Sequence, residues 1–216
     1  MAIQNRFSEA DQNRIKEAVK LAEDKISGEI VPVFVEQSGA YSIATYRGAL
    51  VGAVVAFFSV IIFDRLVPSL AVYDPLYIFV IVVFGSLLFA VLPQFIVPFK
   101  RLLIGQKHFN IATRNKAENA FLEEEVFNTR HRTGIMIFIS FFEHEVIVLA
   151  DRGISKVVDQ KEWDDIVKLL TDSIAKGLLV DGIVAAIKRC GEILHEKGFD
   201  KTPDDVNELR DELRIE

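Results

Sequence analysis

Two uncharged stretches decide how this chain is read: Gly48-Ala-Leu-Val-Gly-Ala-Val-Val-Ala-Phe-Phe-Ser-Val-Ile-Ile-Phe63 and Leu76-Tyr-Ile-Phe-Val-Ile-Val-Val-Phe-Gly-Ser-Leu-Leu-Phe-Ala-Val-Leu-Pro-Gln-Phe-Ile-Val-Pro-Phe99. A helix needs about 20 predominantly apolar residues to cross a bilayer. The second stretch has that length and the first is on the short side. Between them, Asp64-Arg-Leu-Val-Pro-Ser-Leu-Ala-Val-Tyr-Asp-Pro75 is a short connection rich in turn formers. The expectation is a transmembrane helical hairpin that enters and leaves on one side. Gly48 and Gly52 form a Gly-x-x-x-Gly pair, which lets the second helix approach closely. The competing reading is a buried hairpin in a soluble core. The length of the uncharged runs and their charged flanks favour the membrane.

The flanks set an orientation. Arg47 precedes the first stretch, and Lys100, Arg101 and Lys107 follow the second, while the connection carries Arg65 alone. Lys and Arg are retained on the cytoplasmic side. Both termini and the soluble domain are therefore expected in the cytoplasm, in an integral membrane protein of two spans. Tyr46, Tyr73 and Tyr77 fall near the expected interfaces, where aromatic rings settle.

The chain has 216 residues, and removing the hairpin leaves enough of them for one soluble domain. The expected division is a split domain from 1–42 and 103–198, a hairpin at 43–102 and an acidic tail at 199–216. The net charge of −6 argues against a nucleic-acid partner. The partners expected are the lipid bilayer and a second membrane protein. One cysteine, Cys190, excludes an internal disulfide framework, and its helical spacing with Ile187 and Leu194 reads as a buried thiol. Met1-Ala-Ile-Gln-Asn-Arg6 lacks the apolar core of a signal peptide.

Ser8 with Asp11 opens a helix in capping-box register, carried by Ile15, Ala18, Val19, Ala22 and Ile26 and ended by Ser27-Gly28. Glu29-Ile-Val-Pro-Val-Phe-Val-Glu36 reads as a strand, with Pro32 marking an edge position or a bulge. After the hairpin, a helix is expected from about Phe109 to Arg130. Strands follow at Ile135–Phe142 and Val146–Ala150, joined by a tight turn at Glu143-His144-Glu145. Asp159 and Glu162 open a further helix in capping-box register, carrying Trp163, Ile166, Val167, Leu169 and Leu170, and Gly177 closes it. Another helix runs from about Val180 to Glu196. In the tail, Val206, Leu209 and Leu213 form the seam of a docked helix.

A strand followed by a crossover helix and a second strand gives a parallel pair. The strand from Val146 then turns antiparallel. This sorts the loops onto two ends. One end, distal from the hairpin, collects Glu29, Arg130-His131-Arg132-Thr133, Asp151-Arg152-Gly153 and Asp159. The other collects Glu36, Gln37 and Glu143-His144-Glu145. Glu29, Asp151 and Asp159 are oxygen donors suited to a hard divalent cation, Ca2+ or Mg2+. Arg130, Arg132, Arg152 and a helix N-terminus suit a phosphate or a carboxylate. Together they suit metal-assisted hydrolysis of a phosphate ester. The competing reading makes Asp159 a cap and Glu29 and Asp151 partners of nearby arginines. At the other end, Glu143-His144-Glu145 with Glu36 could ligate a metal, although a solvated turn is the simpler reading.

Ser27-Gly-Glu-Ile-Val31, Arg132-Thr-Gly-Ile135, Val148-Leu-Ala-Asp-Arg-Gly-Ile154 and Gly177-Leu-Leu-Val-Asp-Gly-Ile183 stand in the order of the TPM domain family, which the chain outside the hairpin and tail resembles. That family includes a thylakoid acid phosphatase linked to photosystem repair, acetylcholine-receptor auxiliary proteins and many bacterial membrane proteins. The resemblance implies an α/β/α sandwich and a phosphatase or divalent-metal site. Such domains often precede their anchor and lie outside the cytoplasm. Here the hairpin interrupts the domain.

Two functions are expected from different classes. The first is an acid phosphatase-like hydrolase, with Glu29, Asp151, Arg132 and Arg152 catalytic and Glu29, Asp151 and Asp159 on the cation. The second is a non-enzymatic accessory or scaffold module for a membrane complex, suggested by the glycine pair and by the lack of a nucleophile–base constellation.

Overall fold

Runs of Ile, Val and Phe form strands when both faces of a sheet are to be covered. In the computed structural model, which describes residues 6–67, 69, 71–202, 208–209 and 213–215, they do so. Met1–Asn5 and Val206 lie outside these residues. The chain divides into two units, Met1–Gly39 with Asn110–Glu216, and Ala40–Phe109.

The first unit holds a four-stranded mixed sheet of order β3-β2-β1-β4. Its strands are β1 (Glu29–Val35), β2 (Gly134–Ser140), β3 (Glu145–Ala150) and β4 (Arg214–Ile215). β1 and β2 are parallel, with Glu29 opposite Gly134 and Val35 opposite Ser140. β3 is antiparallel to β2, with Ile135 opposite Ala150. Side chains alternate between the faces. Ile30, Phe34, Ile135, Ile137 and Ile139 join a core with helices α1 (Glu9–Glu23), α7 (Gln160–Ala175) and α8 (Leu179–Glu196). Val31, Val33, Val35, Met136 and Phe138 pack with Ala117 and Ala120 of α5 (Gln106–Glu123) and with Val126.

Three local expectations are corrected. α5 ends at Glu123, not at Arg130. Glu125 takes φ +52°, its N–H reaches Leu122 O, and Val126 N–H reaches Phe121 O. That is a Schellman ending with Glu where glycine is usual. Asp159 precedes α7 with an extended backbone, but its side chain makes no cap bond. The end of the tail is not a helix: Arg214 and Ile215 form β4, parallel to β1 at Val33 and Phe34. This short strand stops short of Pro32, which has no N–H to offer a neighbour. Cys190 is buried in α8, with its thiol pushed up to about 12 by burial.

In the second unit, α2 (Ile43–Leu66) has 24 residues and α3 (Pro75–Phe95) has 21. At 1.5 Å per residue they span about 36 and 32 Å, enough for a hydrocarbon core of about 30 Å. Both helices are thus long and apolar enough to cross a membrane. Only 6% of the most apolar window of α2 and none of that of α3 is buried, so this is not a buried core hairpin. The first helix is longer than its uncharged run, and the second is shorter. Pro98 has no N–H for Gln94 and crowds its carbonyl, so the chain breaks at Ile96 and restarts as α4 (Val97–Ile104).

The glycine pair serves the hairpin itself. A Cβ on Gly48 would lie 2.3 Å from Phe89 O, and one on Gly52 would lie 2.3 Å from Gly85 O. Arg47 Nη1 donates to Leu103 O and Ile104 O at 2.7 and 2.9 Å, satisfying carbonyls at the end of α4. Asp74 caps α3 by accepting from Leu76 N–H at 2.8 Å.

Candidate functional site

The carboxyl end of β3 and the amino ends of β1 and β2 bring three loops together, and backbone bonds fasten them. Glu29 N–H donates to Thr133 O at 3.2 Å, Asp151 N–H to Gly134 O at 2.9 Å, and Gly153 N–H to Arg132 O at 3.0 Å. Thr129 Oγ1 accepts from Thr133 N–H at 2.9 Å and fixes the turn before β2. Gly153 is required there, because a Cβ would meet Arg132 O at 2.5 Å and His131 O at 2.7 Å.

Asp151 is the central side chain. It is 6% exposed. One oxygen accepts from Arg152 N–H at 2.6 Å and caps the short helix α6 (Arg152–Ser155). Its other oxygen is buried without a hydrogen-bond partner, and Arg132 Nη1 lies 3.8 Å away. Arg132 is held by its own backbone, at φ +58°, by a bond from Nη1 to Phe127 O at 2.8 Å, and by its guanidinium 5.6 Å from the Phe127 ring centroid. A non-glycine residue at positive φ persists only where its surroundings hold it.

Glu29 comes to the same cluster, where its Oε1 accepts from Glu208 N–H at 3.0 Å. Asp159 is exposed at the start of α7. Among the described residues no group of three or more His, Cys, Asp or Glu side chains is placed to hold a metal ion. The three-carboxylate set of Glu29, Asp151 and Asp159 is therefore not assembled, because the turns after α6 leave Asp159 at the surface. Arg152 is exposed, with its N–H on Asp151.

The opposite end of the sheet also departs from expectation. Glu143 is 2% exposed rather than solvated. Its Oε1 accepts from Ser38 N–H at 2.9 Å, and its Oε2 accepts from the buried Ser140 hydroxyl. The Ser38 and Ser140 hydroxyls are 2.8 Å apart. The acid ties the exit of β1 to the β2–β3 turn, and the alternative metal set with Glu36, His144 and Glu145 is not formed among the described residues.

Glu208, Thr129 and the φ of Arg132 were not legible in the sequence. Thr129 carries no spacing signal, and Glu208 reaches Glu29 only through the fold. Asp151-Arg-Gly153 did carry a signal, since glycine after a strand end marks a close backbone approach.

No protein-family model matches the chain, and no curated protein matches it. Among solved structures it is similar to the NMR structure of the BA42 protein from the psychrophilic bacterium Bizionia argentinensis sp. nov.. The identity is 16%, the TM-score is 0.58, and the match covers 96% of this chain and 94% of that one. At that identity the likeness is one of fold.

Proposed function

We propose that this chain is a membrane-anchored, TPM-like α/β/α domain that hydrolyses phosphate esters at the loop cluster around Asp151. The observation that carries the reading is the buried Asp151 oxygen with no hydrogen-bond partner, facing Arg132 at 3.8 Å. A buried carboxylate oxygen left unsatisfied is costly, and such positions mark where a ligand completes the site. Asp151 and Glu29 are the acids for a divalent cation. Mg2+ commonly takes one or two carboxylates and completes its shell from water and substrate phosphate, so a third acid is not required. When bound, the cation supplies charge neutralisation for the phosphoryl oxygens. Arg132 and Arg152 orient those oxygens, and Gly153 keeps the two loops in contact. The hairpin fixes the domain at the membrane, with the domain and both termini in the cytoplasm, as the Lys and Arg bias indicates.

Phosphate release from a generic ester, measured on the full chain in nanodiscs with Mg2+, with Ca2+ and with chelator, tests the reading. The expected result is chelator-sensitive release that falls by more than about tenfold in Asp151→Ala and in Glu29→Ala, the scale of losing a charge-stabilising group. Unchanged release in both variants removes this site. A stoichiometric membrane partner recovered from mild detergent, without hydrolysis, replaces the enzyme with the accessory module.

A further inference from the structure

The hairpin does not end with its second long helix. After the break at Ile96, α4 turns one face inward: the Phe99 ring centroid lies 6.1 Å from that of Phe89 in α3, and Ile104 is buried. The other face is apolar and uncovered. Val97 and Pro98 are exposed, and Leu102 is 79% exposed. This face continues the exposed Phe95 and Ile96 at the end of α3. Arg47 of α2 holds the far end of α4 at Leu103 O and Ile104 O, so the face is fixed on the hairpin. The charges here have one sign. Arg47, Lys100, Arg101 and Lys107 stand at this end of the unit, with His108 beside Lys107. The unit's other charges are Asp64, Arg65 and Asp74, and Asp64 lies about 26 Å along α2 from Arg47. No Asp or Glu stands between Glu36 and Asp64 or between Asp74 and Glu118, in a chain of net charge −6. Lys100 Nζ is 6.0 Å from the Tyr41 ring centroid, and the Arg101 guanidinium is 5.6 Å from that of Phe109.

We propose that α4 lies in the plane of the bilayer surface and that this end of the hairpin binds anionic phospholipid, with Val97 and Leu102 in the acyl boundary and Arg101 and Lys107 on headgroup phosphates. The inference rests on the hairpin crossing a bilayer, not on the hydrolase. A single exposed leucine is ordinary on a soluble surface, but a run from Phe95 to Leu102 beside a span is a contact surface. A short helix with one apolar face and adjoining Lys and Arg is held at the interface by buried apolar area and by attraction to anionic lipid. The cations select which lipid: near an anionic surface each shifts binding by about fivefold.

The test uses the full chain in vesicles of phosphatidylcholine, with and without phosphatidylglycerol. A spin label on Leu102→Cys, in a Cys190→Ala background, reports depth, and the exposure of Leu102 makes the change harmless to folding. The label should be open to oxygen and shielded from a water-soluble nickel complex. With the natural chain, spin-labelled phosphatidylglycerol should be immobilised in preference to phosphatidylcholine. That preference should fall by up to about fivefold in each of Arg101→Gln and Lys107→Gln, and should shrink as salt is raised. A Leu102 label fully open to the nickel complex overturns the inference, as do equal holding of the two lipids and a preference unchanged in both variants. A preference abolished by inorganic phosphate, but not by chloride at equal ionic strength, also overturns it, because the surface then takes free phosphate. Release of the chain from its membrane by alkaline carbonate removes the anchor and the inference with it. A chain that stays in the membrane while the Leu102 label sits in water keeps the anchor and removes the α4 inference alone.

Discussion

Glu143→Ala should destabilise the sheet-bearing unit by about 3 kcal/mol. The charged acceptor of Ser38 N–H at 2.9 Å is lost, and a hydrogen bond to a charged group is worth about 1.5–3 kcal/mol. The second bond, from Ser140, costs less to remove, because that hydroxyl keeps the Ser38 hydroxyl at 2.8 Å. Relief from burying a carboxylate offsets part of the loss and the cavity adds to it. Glu143→Gln keeps an oxygen for Ser38, and its amide can donate to Ser140, so its cost should be about 1 kcal/mol. The assay is denaturant unfolding of the full chain in nanodiscs, read by Trp163, the single tryptophan, which is buried in the α1–α7–α8 core. Two results refute the reasoning. One is an alanine variant within about 0.5 kcal/mol of the natural chain, the range of a neutral surface change. The other is a glutamine variant no better than alanine, which would mean that the acceptor is not what matters.

Gly52→Leu should push α2 off α3, since even a Cβ would stand 2.3 Å from Gly85 O. A loss of about 1–3 kcal/mol in hairpin stability is expected, checked by thermal denaturation in detergent. Cys190, with its thiol raised by burial to about 12 from 9.0, should resist thiol reagents at pH 8 until the chain unfolds. Its folded pKa lies above its unfolded one, so its contribution is complete below pH 9.0 and is lost as the pH rises from there to the folded value of about 12, by up to about 1.4 kcal/mol per pH unit. The difference between the natural chain and Cys190→Ala in alkaline unfolding isolates it. In a Cys190→Ala background, an impermeant reagent on intact cells should label cysteine at Ser69 but not at Ser8 or Ser155. Labelling at only one of Ser8 and Ser155 would contradict a shared domain.

The strands were legible because runs such as Ile135-Met-Ile-Phe-Ile139 leave no other economical structure, and chain direction then forces the parallel pair. The hairpin was legible from its uncharged runs. The end of α5 was not, because Glu125 sits where glycine normally signals a stop. Asp159 fitted a capping box by spacing, but spacing does not aim a side chain. β4 was hidden because two residues carry no periodicity. Within the site, the acids and arginines were identified as types, but their grouping was not. Asp151 and Arg132 meet because Gly153 packs on the Arg132 carbonyl, whereas Asp159 lies beyond α6.

The hairpin lies between the two strands that form the parallel pair, and this has a consequence for biosynthesis. β1 leaves the ribosome early, yet its partner Gly134–Ser140 emerges only after roughly a hundred further residues, about 5–20 s later at ordinary translation rates. During that interval Ile30-Val-Pro-Val-Phe-Val35 is an apolar segment with no neighbour, the kind that seeks foreign strands. Pro32 in its middle is a natural gatekeeper against such pairing. The two helices long and apolar enough to cross a membrane also emerge before the sheet can close, so the hairpin can form while the sheet-bearing unit is still incomplete.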